Sequence, residues 1–186
     1  MKAVTFSYDD GVTQDIRLVE ILNRYNLKAT FNLNSELLGK DGSLDILGKR
    51  ILHNKVQPHK ITEIYKGHEK AAHSLTHPDM TEMPADEVIR QVEQDRLNLS
   101  ELSGTEVIGM AYPGRQPNYN SRIARIIKNG KGVKYARTTI CNKDFSYQND
   151  LYEFHPSVFH RDWDQLYKLA EKFVELDPKS EKIFYI

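Results

Sequence analysis

Short apolar runs alternate with amphipathic stretches along the chain. KAVTFSY, residues 2–8, is predicted as a strand, and TQDIRLVEILNRYN then places Ile16, Val19, Leu22 and Tyr25 about one turn apart, which predicts a helix. Thr13 or Asp15 is expected to cap its start, because a short oxygen-bearing side chain can accept from a free backbone N–H. KATFNLN is a second strand. Residues 36–60, which include GKDGS, are expected to form a loop or insertion with a short helical piece around Ile46 to Leu52. KITEIYKG reads as a short helix ending at Gly67, and HEKAAHS as a third strand. MPADEVIRQVEQDRLNLSELSG is the clearest helix, with Val88, Val92, Leu97 and Leu102 on or near one face and Gly104 ending it. EVIGMAY, NSRIARIIKNG, VKYARTT, WDQLYKLAEKFVEL and EKIFYI continue as strand, helix, strand, helix and strand.

Repeated strand–helix alternation predicts an α/β fold, a parallel sheet or (β/α) barrel with helices outside. No internal repeat or linker interrupts residues 1–186, so a single domain is expected. In such folds chemistry gathers at the carboxyl ends of the strands. The polar residues of interest do follow strands: Asp9 and Asp10 after the first, His73 and His77 after the third, AYPGRQPNY after the fourth. Arg137 lies near the end of the fifth, with YEFHPSVFH beyond it.

Composition narrows the function classes. Lys plus Arg equal Asp plus Glu, leaving no basic surplus for nucleic acid, and no apolar run is long enough to span a membrane. One cysteine, Cys141, excludes an internal disulfide framework; with no apolar signal segment at the start, a cytoplasmic location is expected. Ten tyrosines and seven histidines are a richer supply of polar aromatic side chains than a plain scaffold requires.

Adjacent carboxylates at a strand end repel each other, and a divalent cation held by one of them would offset that cost. Two imidazoles four residues apart, His73 and His77, can hold one ion, and a carboxylate from another strand completes a set of three with positions left for water and substrate. These residues resemble the polysaccharide deacetylases of the NodB-homology type, carbohydrate esterase family four. TFSYDDG is similar to their Thr-Phe-Asp-Asp-Gly motif with two residues inserted. HSLTH matches their histidine pair and is preceded by a family-like GHE, and AYPGR is similar to their aromatic-Pro-Gly loop. The resemblance implies a distorted (β/α) barrel in which Asp9 is the general base, Asp10, His73 and His77 hold the metal, and Tyr112 offers its backbone N–H to the oxyanion with Pro113 shaping the loop. It implies removal of N-acetyl groups from an acetylated sugar or glycan.

The chain also departs from that pattern. Gly109 to Ala111 offer no arginine ahead of the aromatic, so Arg137 is the candidate to orient Asp9, with Arg115 second. RDW, residues 161–163, matches the family's Asp-x-x-Asp-Trp only in part and is expected to begin a helix, with Trp163 packed at its start. The family's acid histidine follows the last strand, where this chain ends. No helix follows EKIFYI to cover its outer face, so a last loop and helix are expected to be missing, and His155 or His160 is left as the acid. His155 is also expected to face the substrate, and His68 with Glu69 to lie behind the site. The imidazole-rich set favours zinc, with cobalt, manganese or iron(II) as fits to similar ligands. Two other functions are compatible: a catalytically silent carbohydrate- or metal-binding module, and an amidohydrolase for a non-sugar amide.

Overall fold

The computed structural model describes residues 1–114, 117–130 and 132–186. The chain runs through β1 (Lys2–Asp9), α1 (Asp15–Arg24), β2 (Ala29–Leu33), β3 (Ser43–Ile46), β4 (Lys49–Leu52), α2 (Ile61–Ile64) and β5 (Glu69–Ala72). It continues with α3 (Ala85–Ile89), α4 (Asp95–Ser103), β6 (Gly109–Ala111), α5 (Ser121–Gly130), β7 (Tyr135–Arg137), α6 (Trp163–Glu175) and β8 (Lys182–Tyr185). Six strands form one sheet in the order β7-β6-β5-β2-β1-β8, and every pairing in it is parallel. All their carboxyl ends therefore lie at one edge.

The sheet curls. Residues 145–157 bridge its two free edges: Phe154 N–H donates to Ala136 O at 3.0 Å beside β7, and Ser157 N–H donates to Tyr185 O at 2.7 Å beside β8. The result is the distorted barrel expected from the alternation. Phe31, Leu33, Ala72 and Met110 from the strands, with Val88, Leu99 and Ile123 from the helices, are buried in the main core. A smaller cluster packs Phe184 of β8 against Phe145 and Phe173. So α6, which precedes β8, lies against that last strand, where an uncovered face was expected. Lys2 Nζ ties this corner by donating to Phe173, Val174 and Leu176 carbonyls at 2.9 to 3.0 Å, satisfying groups left open at a helix C-terminus. Among the described residues no helix is long and apolar enough to cross a membrane.

Four local expectations fail. Residues 43–52 form a hairpin of β3 and β4, paired from Ser43↔Leu52 to Ile46↔Lys49, and no helix. Its turn residues Leu47 and Gly48 both have positive φ, 51° and 74°, the backbone a tight two-residue hairpin needs. Helix α1 has no side-chain cap; Asp15 is instead buried in its first turn and accepts the Tyr65 hydroxyl at 2.7 Å. Ile16 and Tyr25 face solvent, and only Val19 and Leu22 of the expected stripe are buried. On α4 the inward positions are Asp95, Leu99 and Ser103, while Leu97 and Leu102 are exposed. A carboxylate thus takes a core position because two backbone N–H groups need it, as described below.

Gly109 marks a close approach between strands. A Cβ there would stand 2.2 Å from Cζ of the half-buried Tyr135, so the ring would have to shift. Gly109→Ala is expected to cost about 1–3 kcal/mol from overpacking. Urea unfolding would register it as a lower midpoint with an unchanged slope.

Candidate metal centre

Asp9 closes β1, and its carboxylate turns towards the sheet's far edge. Arg137 Nη2, at the end of β7, donates to both Asp9 oxygens, at 2.6 Å to Oδ2. Asn32 Nδ2 donates to Asp9 Oδ1 at 2.8 Å. Burial works against the Asp9 charge, but the Arg137 guanidinium and the nearby His73 outweigh it and hold the pKa at about 2. Asp9 is therefore ionised at neutral pH. The next residue, Asp10, has a φ of 80° and Gly11 a φ of 59°. Left-handed backbone is costly at a non-glycine residue. Here Asp10 N–H is anchored on Asn32 O at 2.9 Å, and the turn sends the second carboxylate away from the first. That separates two like charges only one residue apart.

His73 and His77 sit on a loop whose backbone is held almost group by group. The buried Asp95 carboxylate accepts His73 N–H at 2.9 Å and Ser35 N–H at 2.7 Å. Asn34 Nδ2 donates to the carbonyls of His73 at 2.6 Å and Ser74 at 2.9 Å. Between α3 and α4, residues Arg90–Gln94 make a π turn, and Gln91 O within it accepts Leu75 N–H at 3.1 Å. A π turn breaks the regular helical ladder and leaves carbonyls for such partners. Ser74 and His77 have φ of 65° and 58°, held by these contacts and by His77 N–H donating to Ser74 Oγ at 3.2 Å.

The imidazoles are set for ligation. His73 Nδ1 lies 2.9 Å from Ala111 O; a carbonyl only accepts, so Nδ1 carries the proton and Nε2 keeps its lone pair. Burial, opposed by Asp9 and Asp10, pushes the His73 pKa down and keeps the ring neutral. His77 Nε2 accepts from Gly114 N–H at 3.3 Å, so its lone pair also points into the site. One ligand atom from each of Asp10, His73 and His77 lies within 4.8 Å of the other two. A carboxylate and two imidazoles so grouped fit a zinc-type divalent cation with positions left open.

Several residues stand elsewhere than expected. Tyr112 N–H donates to Arg137 O at 3.0 Å, so it is engaged in strand pairing and is not free to meet an oxyanion. Its ring is fully buried against Tyr119, and its hydroxyl donates to Tyr152 O at 2.8 Å. Pro113 is buried behind the same turn. His155 does not line the cavity beside Asp9; its Nδ1 meets Thr138 Oγ1 at 2.6 Å and its main chain is held by Gln148. His68 lies at the amino end of β5, away from the site, where Nδ1 accepts Ala29 N–H at 3.2 Å. Glu69 beside it accepts the Thr30 hydroxyl at 2.7 Å. Trp163 is 59% exposed at the start of α6, with Asp162 as the cap. Arg115 lies outside the described residues.

The cavity beside Asp9 measures about 520 Å³, with Tyr8, Gly114, Arg137, Cys141, Phe159 and His160 in its wall. Burial raises the Cys141 thiol pKa, which suits a packing role. The residues missed from the sequence are those holding the others: Asn32, Asn34, Gln91, Asp95 and, against Asp10, His53 and Lys55. Asp95 had one readable signal, a polar side chain at helical spacing from Val88 and Val92.

Arg137 is 6% exposed, and removing its charge leaves Asp9 without its main partner. Arg137→Met is expected to destabilise the fold by about 3 kcal/mol, the low end for breaking a buried pair because Asp9 opens on the cavity. Arg137→Lys, tested alongside by chemical denaturation, is expected to recover part of the loss.

Comparison with known proteins assigns a family and a fold. The family model described as polysaccharide deacetylase matches residues 1–135. The peptidoglycan-N-acetylglucosamine deacetylase PgdA of Listeria monocytogenes is 23% identical over 150 residues, which are 80% of this chain and 28% of that protein. A bifunctional xylanase/deacetylase of Pseudobutyrivibrio xylanivorans is 27% identical over 107 residues, 57% of this chain and 15% of that protein. The chain thus spans under a third of either relative's length. Among solved structures, the Streptococcus pyogenes deacetylase PplD in complex with acetate shares the fold at a TM-score of 0.66 and 21% identity, covering 88% of this chain and 68% of that one. The chain belongs to the polysaccharide deacetylase family.

Proposed function

We propose that the chain is a metal-dependent hydrolase that removes N-acetyl groups from an acetylated oligo- or polysaccharide. The observation that carries this reading is the grouping of Asp10, His73 and His77 around one point, next to a carboxylate, Asp9, that is ionised and clamped by Arg137. The names of the relatives, which include a peptidoglycan-N-acetylglucosamine deacetylase and a xylanase/deacetylase, support a glycan substrate. Zinc is the ion we assign to the two imidazoles and one carboxylate.

A bound divalent cation supplies Lewis acidity and lowers the pKa of water towards neutrality. Asp9 accepts the proton of the attacking water, and Arg137 with Asn32 holds that carboxylate in one orientation. Asp9 is a weak base, so it serves as acceptor for a water already acidified. Gly114 takes the oxyanion role first given to Tyr112. Its N–H lies in the cavity wall and donates to His77 Nε2 at 3.3 Å, a bond that would be given up when that lone pair takes a cation, freeing the N–H for the oxyanion. One such donor is worth on the order of a hundredfold or more in rate. An amide nitrogen leaves poorly without a proton. His160, which shares the cavity with Asp9 and whose pKa burial and Arg161 push down, is the imidazole placed to relay to the leaving nitrogen the proton that Asp9 takes from water. The products are acetate and a free amino sugar.

His73→Ala or His77→Ala is expected to abolish stoichiometric zinc in elemental analysis of the purified protein. Asp9→Asn is expected to keep the ion while acetate release from acetylated chitooligosaccharides falls at least about a hundredfold. Loss of the ion in Asp9→Asn would reverse the roles of Asp9 and Asp10. His160→Gln is expected to lower kcat with metal content unchanged; unaltered turnover would remove His160 from the mechanism.

A further inference from the structure

The hairpin of β3 and β4 leads into His53, Asn54 and Lys55, and this return segment is stitched to the loop that carries Asp10. Lys55 pairs with Val12 in an antiparallel bridge. Thr13 N–H donates to Asn54 O at 2.8 Å, Val56 N–H to Gly11 O at 2.9 Å and Lys55 N–H to Lys40 O at 2.9 Å. The Lys55 main chain is therefore fixed on both sides, and its side chain is 9% exposed. Its ammonium stands 3.4 Å from Asp10 Oδ1, the same oxygen that lies 3.8 Å from His77 Nε2. On the carboxylate's other side, His53 Nε2 is 3.5 Å from Asp10 Oδ2.

This changes the charge that a cation would meet. Asp9 is matched by Arg137 and Asp10 by Lys55. These two ion pairs carry no net charge before any ion arrives. A buried lysine is strongly hydrated in water and gives that up at a cost, so a fixed ammonium beside a ligating carboxylate calls for an explanation.

We propose that Lys55 is a positioning residue that tunes the charge of the metal centre. It weakens the hold on a divalent cation and leaves more of that cation's charge for the substrate carbonyl. The inference rests on the metal-dependent reading above. At 3–4 Å even well-screened unit charges interact by more than thermal energy, and a less screened pair by several times that.

Calorimetric titration of zinc into metal-free wild type, Lys55→Met and Lys55→Arg tests it, with circular dichroism checking that each is folded. Lys55→Met is expected to bind zinc at least about tenfold more tightly than wild type, and Lys55→Arg to stay close to wild type. At saturating zinc, kcat of Lys55→Met is expected to fall. A residue that merely braced the hairpin would loosen zinc when removed, so equal or weaker affinity in folded Lys55→Met overturns the proposal. If Lys55→Met does not fold, Lys55→Gln, which keeps a polar end at similar reach, decides the same question by the same criterion. Wild type that takes up no zinc at all would sink the metal reading itself, a result distinct from zinc binding that Lys55→Met fails to tighten.

Discussion

The ion pair between Asp9 and Arg137 sets the terms for the rest of the site. In the sheet order β7-β6-β5-β2-β1-β8 their strands are four places apart. Side chains so far apart in a flat sheet could not touch, so their contact depends on the curl. That curl in turn needs the 145–157 segment bonded to both free edges. The pair is costly to desolvate, and breaking it would leave a carboxylate facing a partly closed cavity. Arg137 also accepts Tyr112 N–H through its carbonyl. One residue thus joins sheet pairing to the orientation of the proposed base.

Around that pair, buried polar groups do the positioning that apolar packing cannot. Asp95, Asn34 and Gln91 take the N–H and C=O groups of the His73–His77 loop, which would otherwise be orphaned in the interior. Asp95 stands where a leucine would give a better core, and burial raises its pKa to about 7. The fold tolerates this expense where a loop must be held in left-handed backbone at Ser74 and His77. Imidazoles fixed in this way would need little rearrangement to bind an ion.

The β3–β4 hairpin adds a second layer. It contributes no member of the Asp10, His73 and His77 group, but it brings two nitrogen-bearing side chains, His53 and Lys55, against the Asp10 carboxylate. Its own strands are exposed, and its order derives from the bonds between residues 10–14 and 53–56. A surface insertion therefore reaches the electrostatics of the centre through a short stretch of backbone.

Much of the fold was readable from local pattern alone. Each of the six sheet strands and the long helices fell where apolar runs and helical spacing put them, because those signals depend only on neighbours in the chain. Asp9, Asp10, His73 and His77 were readable too, since strand-end carboxylates and paired imidazoles carry their chemistry in their spacing. The pairing of Arg137 with Asp9 was anticipated from the arginine missing ahead of the third motif, whereas the use of Tyr112 N–H by the sheet, the return of His53 and Lys55 onto Asp10 and the inward turn of Asp95 were decided by tertiary structure. Each joins residues distant in sequence, and each turns on which buried polar group found a partner, a question settled only once the sheet has curled.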